Sequence, residues 1–212
     1  METNPQPTEA QFNRDDVILP QKMNTEDLAN VRMLGGLAAL FAAGSIIPYM
    51  GFLLMLASIV LFLIVFHKIS KISGKRSIFT NIGFAYLISF VAGLALVAFI
   101  IFTLFDVFKS YHYDIEYLVN SIGSIKEDFI TTIIMISVFF YVIIIAYAYL
   151  WKLSLDKTAA FFNEKGFKTA GLLYIIGAPT IIICGLGALV TLAGHIVLAV
   201  AFFSLKNEKV SS

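Results

Sequence analysis

One histidine lies deep inside an apolar segment of this chain, where an ionisable group is costly and is by default a functional hypothesis. His195 shares a predicted helix face with Thr191, which comes one turn earlier and can exchange a hydrogen bond with it. A proton relay needs a carboxylate or a second histidine within reach, and no apolar segment supplies one. We interpret His195 as a neutral packing residue, with a relay as the alternative.

A proline in the same region offers a second route to function. Pro179 removes one helix hydrogen bond and bends a helix, and broken helices are where transporters expose backbone groups to substrates. Prolines are also frequent in membrane helices without any such role. A plain kink is our interpretation, and a substrate site is the alternative.

An acidic stretch between two apolar segments contains His112, Asp114 and Glu116, which alternate as on one face of a strand. Specific metal motifs use paired Cys and His residues or HExxH, and neither pattern occurs. Phosphate-loop and serine-hydrolase motifs do not occur either, and Cys184 is interpreted as a packing residue. We therefore predict no catalytic residue, no cofactor, no metal and no enzymatic activity.

The elements that position these residues are apolar helices. Residues 33–66 and 169–205 contain no Asp, Glu, Lys or Arg over 34 and 37 positions. Each run is almost twice the ~20 residues that one membrane-spanning helix needs, and each is interrupted near its middle by glycine or proline. Each run therefore predicts a helical hairpin, and the charge-free residues 77–105 and 129–151 predict one crossing each.

The composition agrees with a membrane protein. Soluble domains are about 45–50% apolar and about 25% charged, whereas this chain is 59% hydrophobic and 14% charged. We predict an all-α polytopic bundle in one domain over residues 25–208, with polar tails at 1–24 and 209–212. The approximate spans are residues 31–48, 51–67, 79–105, 129–151, 169–184 and 187–205, with an extracytoplasmic loop at 106–128.

Lys and Arg counts predict the orientation of the spans. Six crossings put both termini on one side, which then holds thirteen of the fifteen basic residues. The opposite side holds Lys109 and Lys126. We predict a multi-pass protein of the cell membrane with both termini in the cytoplasm. Lys and Arg counts do not distinguish full crossing from re-entry of the end hairpins, because either one returns the chain to the same side. Full crossing is our interpretation, since Asn24-Thr25-Glu26-Asp27 is typical of a helix start and lets the first helix begin before the apolar run.

Small residues recur every four positions in three spans, which places them on one helix face and allows close backbone approach. They are Gly35, Ala39 and Ala43; Ala85, Ser89 and Gly93; and Gly187, Thr191, His195 and Ala199. We interpret these faces as intramolecular packing, with self-association as the alternative. Four aromatic residues toward the inner end of the fourth span indicate rings at the membrane interface: Tyr141, Tyr147, Tyr149 and Trp151.

The end hairpins also align with each other. At an offset of 136 residues Gly35 aligns with Gly171 and Gly51 with Gly187, and at an offset of 88 Gly83 aligns with Gly171. Three hairpins that enter from one face explain both offsets, as in transporters built from parallel repeats. Chance alignment of apolar segments is the alternative.

Three stretches near the predicted inner surface carry a family resemblance. They are Gly74-Lys75-Arg76-Ser77-Ile78-Phe79-Thr80-Asn81, Phe167-Lys168-Thr169-Ala170-Gly171-Leu172-Leu173-Tyr174 with Gly177-Ala178, and Ala201-Phe202-Phe203-Ser204-Leu205-Lys206. The chain resembles the domain of unknown function 996 family over roughly residues 30–208. The resemblance implies a prokaryotic multi-span membrane protein, and it carries no functional residues over to this chain.

The same stretches have a physical interpretation. Gly74 is predicted to end the second helix, and Arg76 and Lys168 to anchor at the anionic inner surface, with a ligand-binding loop as the alternative. Hydroxyl caps are predicted for the third and fifth helices, from Ser77 or Thr80 and from Thr169.

These observations predict a non-enzymatic structural or accessory membrane component. Its expected partners are the lipid bilayer and either a second copy or a larger membrane complex, without nucleic acid. The alternative is a channel or transporter for a small neutral or apolar solute that uses Pro179 and His195. A polar cavity reaching mid-membrane favours transport, whereas a solid core counts against it.

Overall fold

The computed structural model describes residues 24–110, 126–181 and 185–206, and it contains six helices in that part of the chain. They are α1 Thr25–Gly44, α2 Gly51–Ser73, α3 Arg76–Ser110, α4 Lys126–Phe162, α5 Lys165–Thr180 and α6 Leu186–Phe203. Each predicted span corresponds to one helix. The prediction of an all-helical fold is therefore confirmed.

Four of the helices are long and apolar enough to cross a membrane. These spans are Gly51–Ser73, Arg76–Phe102, Ile133–Phe162 and Leu186–Phe203. They belong to α2, α3, α4 and α6. Each end hairpin therefore pairs one helix that is long and apolar enough to cross a membrane with one that is not, α1 or α5. One of these is α5, whose 16 residues span ~24 Å at 1.5 Å per residue.

Two predicted helix ends are confirmed. The side chain of Asn24 accepts a hydrogen bond from the backbone N–H of Asp27 at 2.6 Å and caps α1 before its apolar run begins. Gly74 has a φ of 69° and ends α2. Glycine adopts this left-handed conformation without the steric cost of a Cβ atom.

The hydroxyl caps predicted for α3 and α5 are wrong. Thr80 and Thr169 lie inside these helices and donate to carbonyl oxygens four residues earlier, at 3.1 and 3.3 Å. Ser77 instead accepts a hydrogen bond from Lys157 Nζ at 2.6 Å. The side chain of Glu164 caps α5 by accepting from a first-turn N–H at 3.1 Å. Hydroxyls bond back to their own helix as readily as they cap one, which the sequence pattern does not distinguish.

The helices close a ring, because each packs against the next along the chain and α6 returns to α1. Polar contacts join the helix ends on one side of this ring. Lys68 pairs with Asp27 at 2.9 Å between α2 and α1, and Arg32 donates to the carbonyl oxygen of Phe203 at 3.1 Å between α1 and α6. We call this side the basic end and the other side the outer end.

Aromatic side chains fill the centre of the ring toward the basic end. Trp151 of α4 is 2% exposed. Its ring centroid lies 4.9 Å from Phe62 of α2, 6.0 Å from Tyr86 of α3 and 5.5 Å from Tyr174 of α5. The interface position predicted for Trp151 is wrong, because this ring joins four helices instead of facing lipid.

Phe202 makes a second junction, between α6 and three other helices. Its ring centroid is 4.9 Å from Phe167 of α5 and 6.3 Å from Phe66 of α2. On α1 the ring lies against Gly35, where a Cβ atom would overlap it. Because Gly35 has no side chain, α1 can pack against Phe202 of α6, and this contact completes the ring of helices.

The α3–α4 hairpin extends beyond the rest of the bundle at the outer end. These helices have 35 and 37 residues, and at 1.5 Å per residue they are ~52 and ~56 Å long. Among the side chains that the structure describes in their outer halves, most large apolar ones are exposed, including Phe102 at 70% and Met135 at 63%. The outer half of this hairpin therefore presents an apolar surface that the rest of the bundle leaves uncovered.

Candidate functional site

His195 lies where α6 crosses α5, and its hydrogen-bond partner is Tyr174. The Tyr174 hydroxyl oxygen is 2.7 Å from His195 Nδ1, and the two ring centroids are 5.1 Å apart. A neutral imidazole accepts at Nδ1 from the tyrosine O–H when its proton is on Nε2. A buried polar group satisfied across two helices is what a packing role requires.

Sequence reasoning proposed Thr191 as the hydrogen-bond partner of His195 and missed Tyr174. Thr191 donates instead to the carbonyl oxygen of Gly187, at 2.8 Å in its own helix. Tyr174 stands 21 positions before His195, so no helical spacing links the two residues. A signal was available in the sequence, because a tyrosine within a span seeks a polar partner for its hydroxyl.

Glycines allow α5 and α6 to cross closely beside this pair. A Cβ atom at Gly177 would lie 2.6 Å from Thr191 Oγ1, and one at Gly194 would lie 2.9 Å from the ring of Tyr174. The small-residue face of α6 therefore packs inside the chain, as predicted, and so does the face of α1 that contains Gly35.

The small-residue face of α3 is divided between the core and the surface. Ala85 is fully buried. Gly93, two turns further toward the outer end, has no atom within 4 Å of where its Cβ would lie. Intramolecular packing therefore accounts for only the inner part of this face.

Pro179 lies one residue before the end of α5, so its missing N–H affects the last turn of the helix. Its carbonyl oxygen accepts a hydrogen bond from the hydroxyl of Tyr141 on α4, at 3.4 Å. In the same turn Thr180 donates to the carbonyl oxygen of Ile176, at 2.8 Å. Hydroxyl groups therefore occupy the backbone carbonyls around the proline.

Arg76 and Lys168 are at the basic end, in the first turns of α3 and α5. Both side chains are exposed, and neither has a side-chain partner among residues 24–110, 126–181 and 185–206. The structure thus brings His195 and Thr191 together at the α5–α6 crossing and places Arg76 and Lys168 at the basic end. The five candidates do not form one site.

An apolar cleft of about 280 Å³ lies between α3 and α4 in their outer halves. Its lining consists of Ala95, Leu96, Phe99, Met135, Ile136, Phe139 and Phe140. These side chains offer no charge and no hydroxyl, so the cleft suits an apolar group. Sequence reasoning missed it, because the apolar pattern of a span does not show where two helices separate.

The other candidates lie outside the described residues. They are Cys184 and the acidic stretch with His112, Asp114 and Glu116. Within the described part of the chain, no three His, Cys, Asp or Glu side chains come together as a metal site requires.

Comparison with known families matches the model of a protein of unknown function, DUF996, to residues 54–196. This range covers more than half of the chain; it begins in the first turn of α2 and ends within α6. The chain belongs to the DUF996 family. The matched range contains all five candidate residues of this DUF996 protein: Arg76, Lys168, Pro179, Thr191 and His195.

An uncharacterised protein of the archaeon Methanocaldococcus jannaschii is similar to this DUF996 protein. The two sequences are 28% identical over 184 residues, which cover 86% of this chain and 95% of the archaeal protein. No solved structure shows a significant match. The family and the four apolar helices identify an integral membrane protein.

Proposed function

We propose that this DUF996 protein is a non-enzymatic structural or accessory component of the cell membrane that packs with itself or with a larger membrane complex. The packing surface is the outer half of the α3–α4 hairpin. The observation that carries the proposal is the apolar cleft between these two helices, on a surface that the rest of the bundle leaves uncovered.

The shape of this surface supports a packing role more strongly than its apolar character does. Lipid tails are as apolar as Leu or Phe side chains, so membrane helices associate through close packing. The cleft offers a recess for a side chain of another helix, and Gly93 lets a neighbouring backbone approach α3 nearby. A recess next to a small residue is the complementarity that helix association in lipid needs.

The filled centre of the ring supports a packing role over transport. Trp151 and Phe202 occupy the space between the helices toward the basic end, and both are almost fully buried. The hydroxyl of Tyr174 and Nδ1 of His195 already satisfy each other. A channel or transporter for a small neutral or apolar solute needs these rings to separate.

The orientation in the proposal has both termini in the cytoplasm. The basic end contains the N-terminus of α1, the C-terminus of α6 and ten Lys and Arg residues of the described chain. Positive residues are retained on the cytoplasmic side of membrane proteins, so we assign the basic end to that side.

Site-directed cross-linking in native membranes tests the packing surface. Val97 on the outer half of α3 and Val60 on α2 are matched, because both are valines and are 54% and 56% exposed. We expect V97C in a Cys184→Ser background to form a specific cross-linked product, either a dimer or a complex with one partner, and V60C to form none. Equal cross-linking at both positions, or none at either, contradicts the proposed surface.

Reconstitution separates the proposed function from its alternative. The purified protein in liposomes should leave the permeability to small neutral solutes such as glycerol and urea at the level of protein-free liposomes. Faster solute entry that His195→Ala abolishes, in a variant that keeps its fold, would favour a transporter.

A further inference from the structure

The basic end carries a large excess of positive charge. Among the described residues it contains ten Lys and Arg side chains but four acidic ones, Glu26, Asp27, Asp156 and Glu164. Three of the four acids are already engaged. Asp27 pairs with Lys68, Asp156 pairs with Lys152, and Glu164 caps α5.

Six basic side chains at this end are exposed and have no partner in the described part of the chain. They are Lys71, Lys75, Arg76, Lys165, Lys168 and Lys206. The other basic residues of the basic end have partners inside the protein, among them Arg32, which donates to α6, and Lys157, which donates to Ser77. The charge excess therefore resides in side chains that are free to bind an external anion.

The six side chains come from three segments that surround one axis. Lys71, Lys75 and Arg76 lie at the α2–α3 turn, Lys165 and Lys168 at the start of α5, and Lys206 just after α6. Phe202 contacts α2 and α5 at the same time, so these segments converge around its ring. The positive charges consequently form a ring around the basic end.

Helix stability accounts for Lys71, which lies in the last turn of α2, but it does not account for Arg76, Lys165 and Lys168. The positive end of a helix dipole lies at its N-terminus, where acidic residues are favourable and basic residues are not. Arg76, Lys165 and Lys168 lie in the first turns of α3 and α5, and neither first turn contains an acidic residue. The Glu164 carboxylate already caps the N-terminus of α5, so an external anion at this surface would compensate the exposed side-chain charges and the N-terminus of α3.

We propose that the basic end is a binding surface for the headgroups of anionic phospholipids. The six basic side chains lie where the apolar spans end. The alkyl stems of the lysines therefore follow apolar surface, while their ammonium groups reach the headgroup phosphates. This proposal rests on the charges of the basic end and stands apart from the packing role of the α3–α4 hairpin.

Native mass spectrometry of the detergent-purified protein tests the proposal. Phosphatidylglycerol and phosphatidylcholine with identical chains are titrated against the full chain. Each basic residue near an anionic membrane surface contributes about fivefold to binding. We expect at least a tenfold preference for phosphatidylglycerol, and we expect K71Q/K75Q/R76Q and K165Q/K168Q each to lower it at least fivefold.

Two controls make the result specific. K165R/K168R keeps the charge and should keep the preference, and K109Q/K126Q removes two charges from the other ends of α3 and α4 and should leave it unchanged. A preference that survives in both glutamine variants overturns the proposal. So does displacement of bound phosphatidylglycerol by millimolar inorganic phosphate, because that result indicates a site for a soluble anion.

The variants at the basic end are suited to this comparison, because the side chains that they replace are exposed and form no hydrogen bond or ion pair in the described part of the chain. Thermal melting in neutral detergent should be unchanged for each of them. The single variants K75Q and K168Q repeat the titration if a multiple variant melts early, and each should lower the preference at least twofold. No change in either single variant overturns the proposal.

Discussion

The backbones of α5 and α6 approach each other closely at Gly187. A Cβ atom there would lie 2.5 Å from the Cα atom of Ile181 and would overlap other backbone atoms of α5. Because the obstacle is backbone, no rotamer change relieves it, and the helices must separate. Gly83 is the matched control, because no atom lies within 4 Å of where its Cβ would be.

The two substitutions by alanine should have opposite signs. Overpacking in a close-packed interior costs about 1–3 kcal/mol, and alanine regains about 0.5–1 kcal/mol over glycine in a helix. Because the overlapped atoms are backbone, the upper part of this cost applies, about 2–3 kcal/mol, and Gly187→Ala should lower the free energy of unfolding by about 1–2.5 kcal/mol. Gly83→Ala has the same helical gain without an overlap, so it should raise the free energy of unfolding by about 0.5–1 kcal/mol.

Tryptophan fluorescence during unfolding with sodium dodecyl sulfate measures both values. Trp151 is the only tryptophan of the chain and lies in the core, so its emission reports separation of the helices. A Gly187→Ala protein as stable as the wild type would refute the close crossing. A Gly83→Ala protein that is destabilised as much as Gly187→Ala would refute the control geometry.

Three further predictions address the contacts that hold the bundle. A double-mutant cycle of Tyr174→Phe and His195→Ala in detergent should give a coupling energy of about 0.6–1.7 kcal/mol, and a coupling near zero contradicts the hydrogen bond. Asp27→Asn should lower the free energy of unfolding by at most about 1 kcal/mol in low salt, with no further loss when Lys68→Gln is added, and an additive loss contradicts the ion pair. Trp151→Ala should cost about 3–5 kcal/mol by circular dichroism, and Trp151→Phe clearly less; equal losses contradict the central position of the ring.

Local sequence signals predicted the helices and two of their ends. Charge-free runs located each helix, because a span excludes ionised side chains. Asn24 and Gly74 were identified correctly, since an amide N-cap and a left-handed glycine act within a few residues of chain. These features depend on neighbours in sequence, which is why the sequence alone sufficed.

The errors concern residues whose roles depend on distant parts of the chain. Trp151 has the composition of an interfacial residue, and only the convergence of α2, α3 and α5 on α4 makes it central. The sequence pattern predicts Thr191, on the same helix face, as the hydrogen-bond partner of His195, whereas the actual partner is Tyr174 of another helix. In a chain where almost every segment is apolar, hydrophobic patterning cannot separate faces that pack on protein from faces that contact lipid.

The difference in helix length separates the part of the bundle that carries its internal contacts from the part that is left exposed. Six helices of equal length would bury their faces against one another along the whole depth of the bundle. Here α3 and α4 exceed the others, and the contacts that fix the ring, from Trp151 to the Arg32 hydrogen bond, lie toward the basic end. The aromatic contacts toward the basic end and the close contact of α5 with α6 at Gly187 therefore hold the fold together, and the outer half of the α3–α4 hairpin makes few of the contacts that close the ring of helices. Substitutions in that outer half should change what the protein associates with while leaving its stability intact, whereas substitutions around Trp151 should do the reverse.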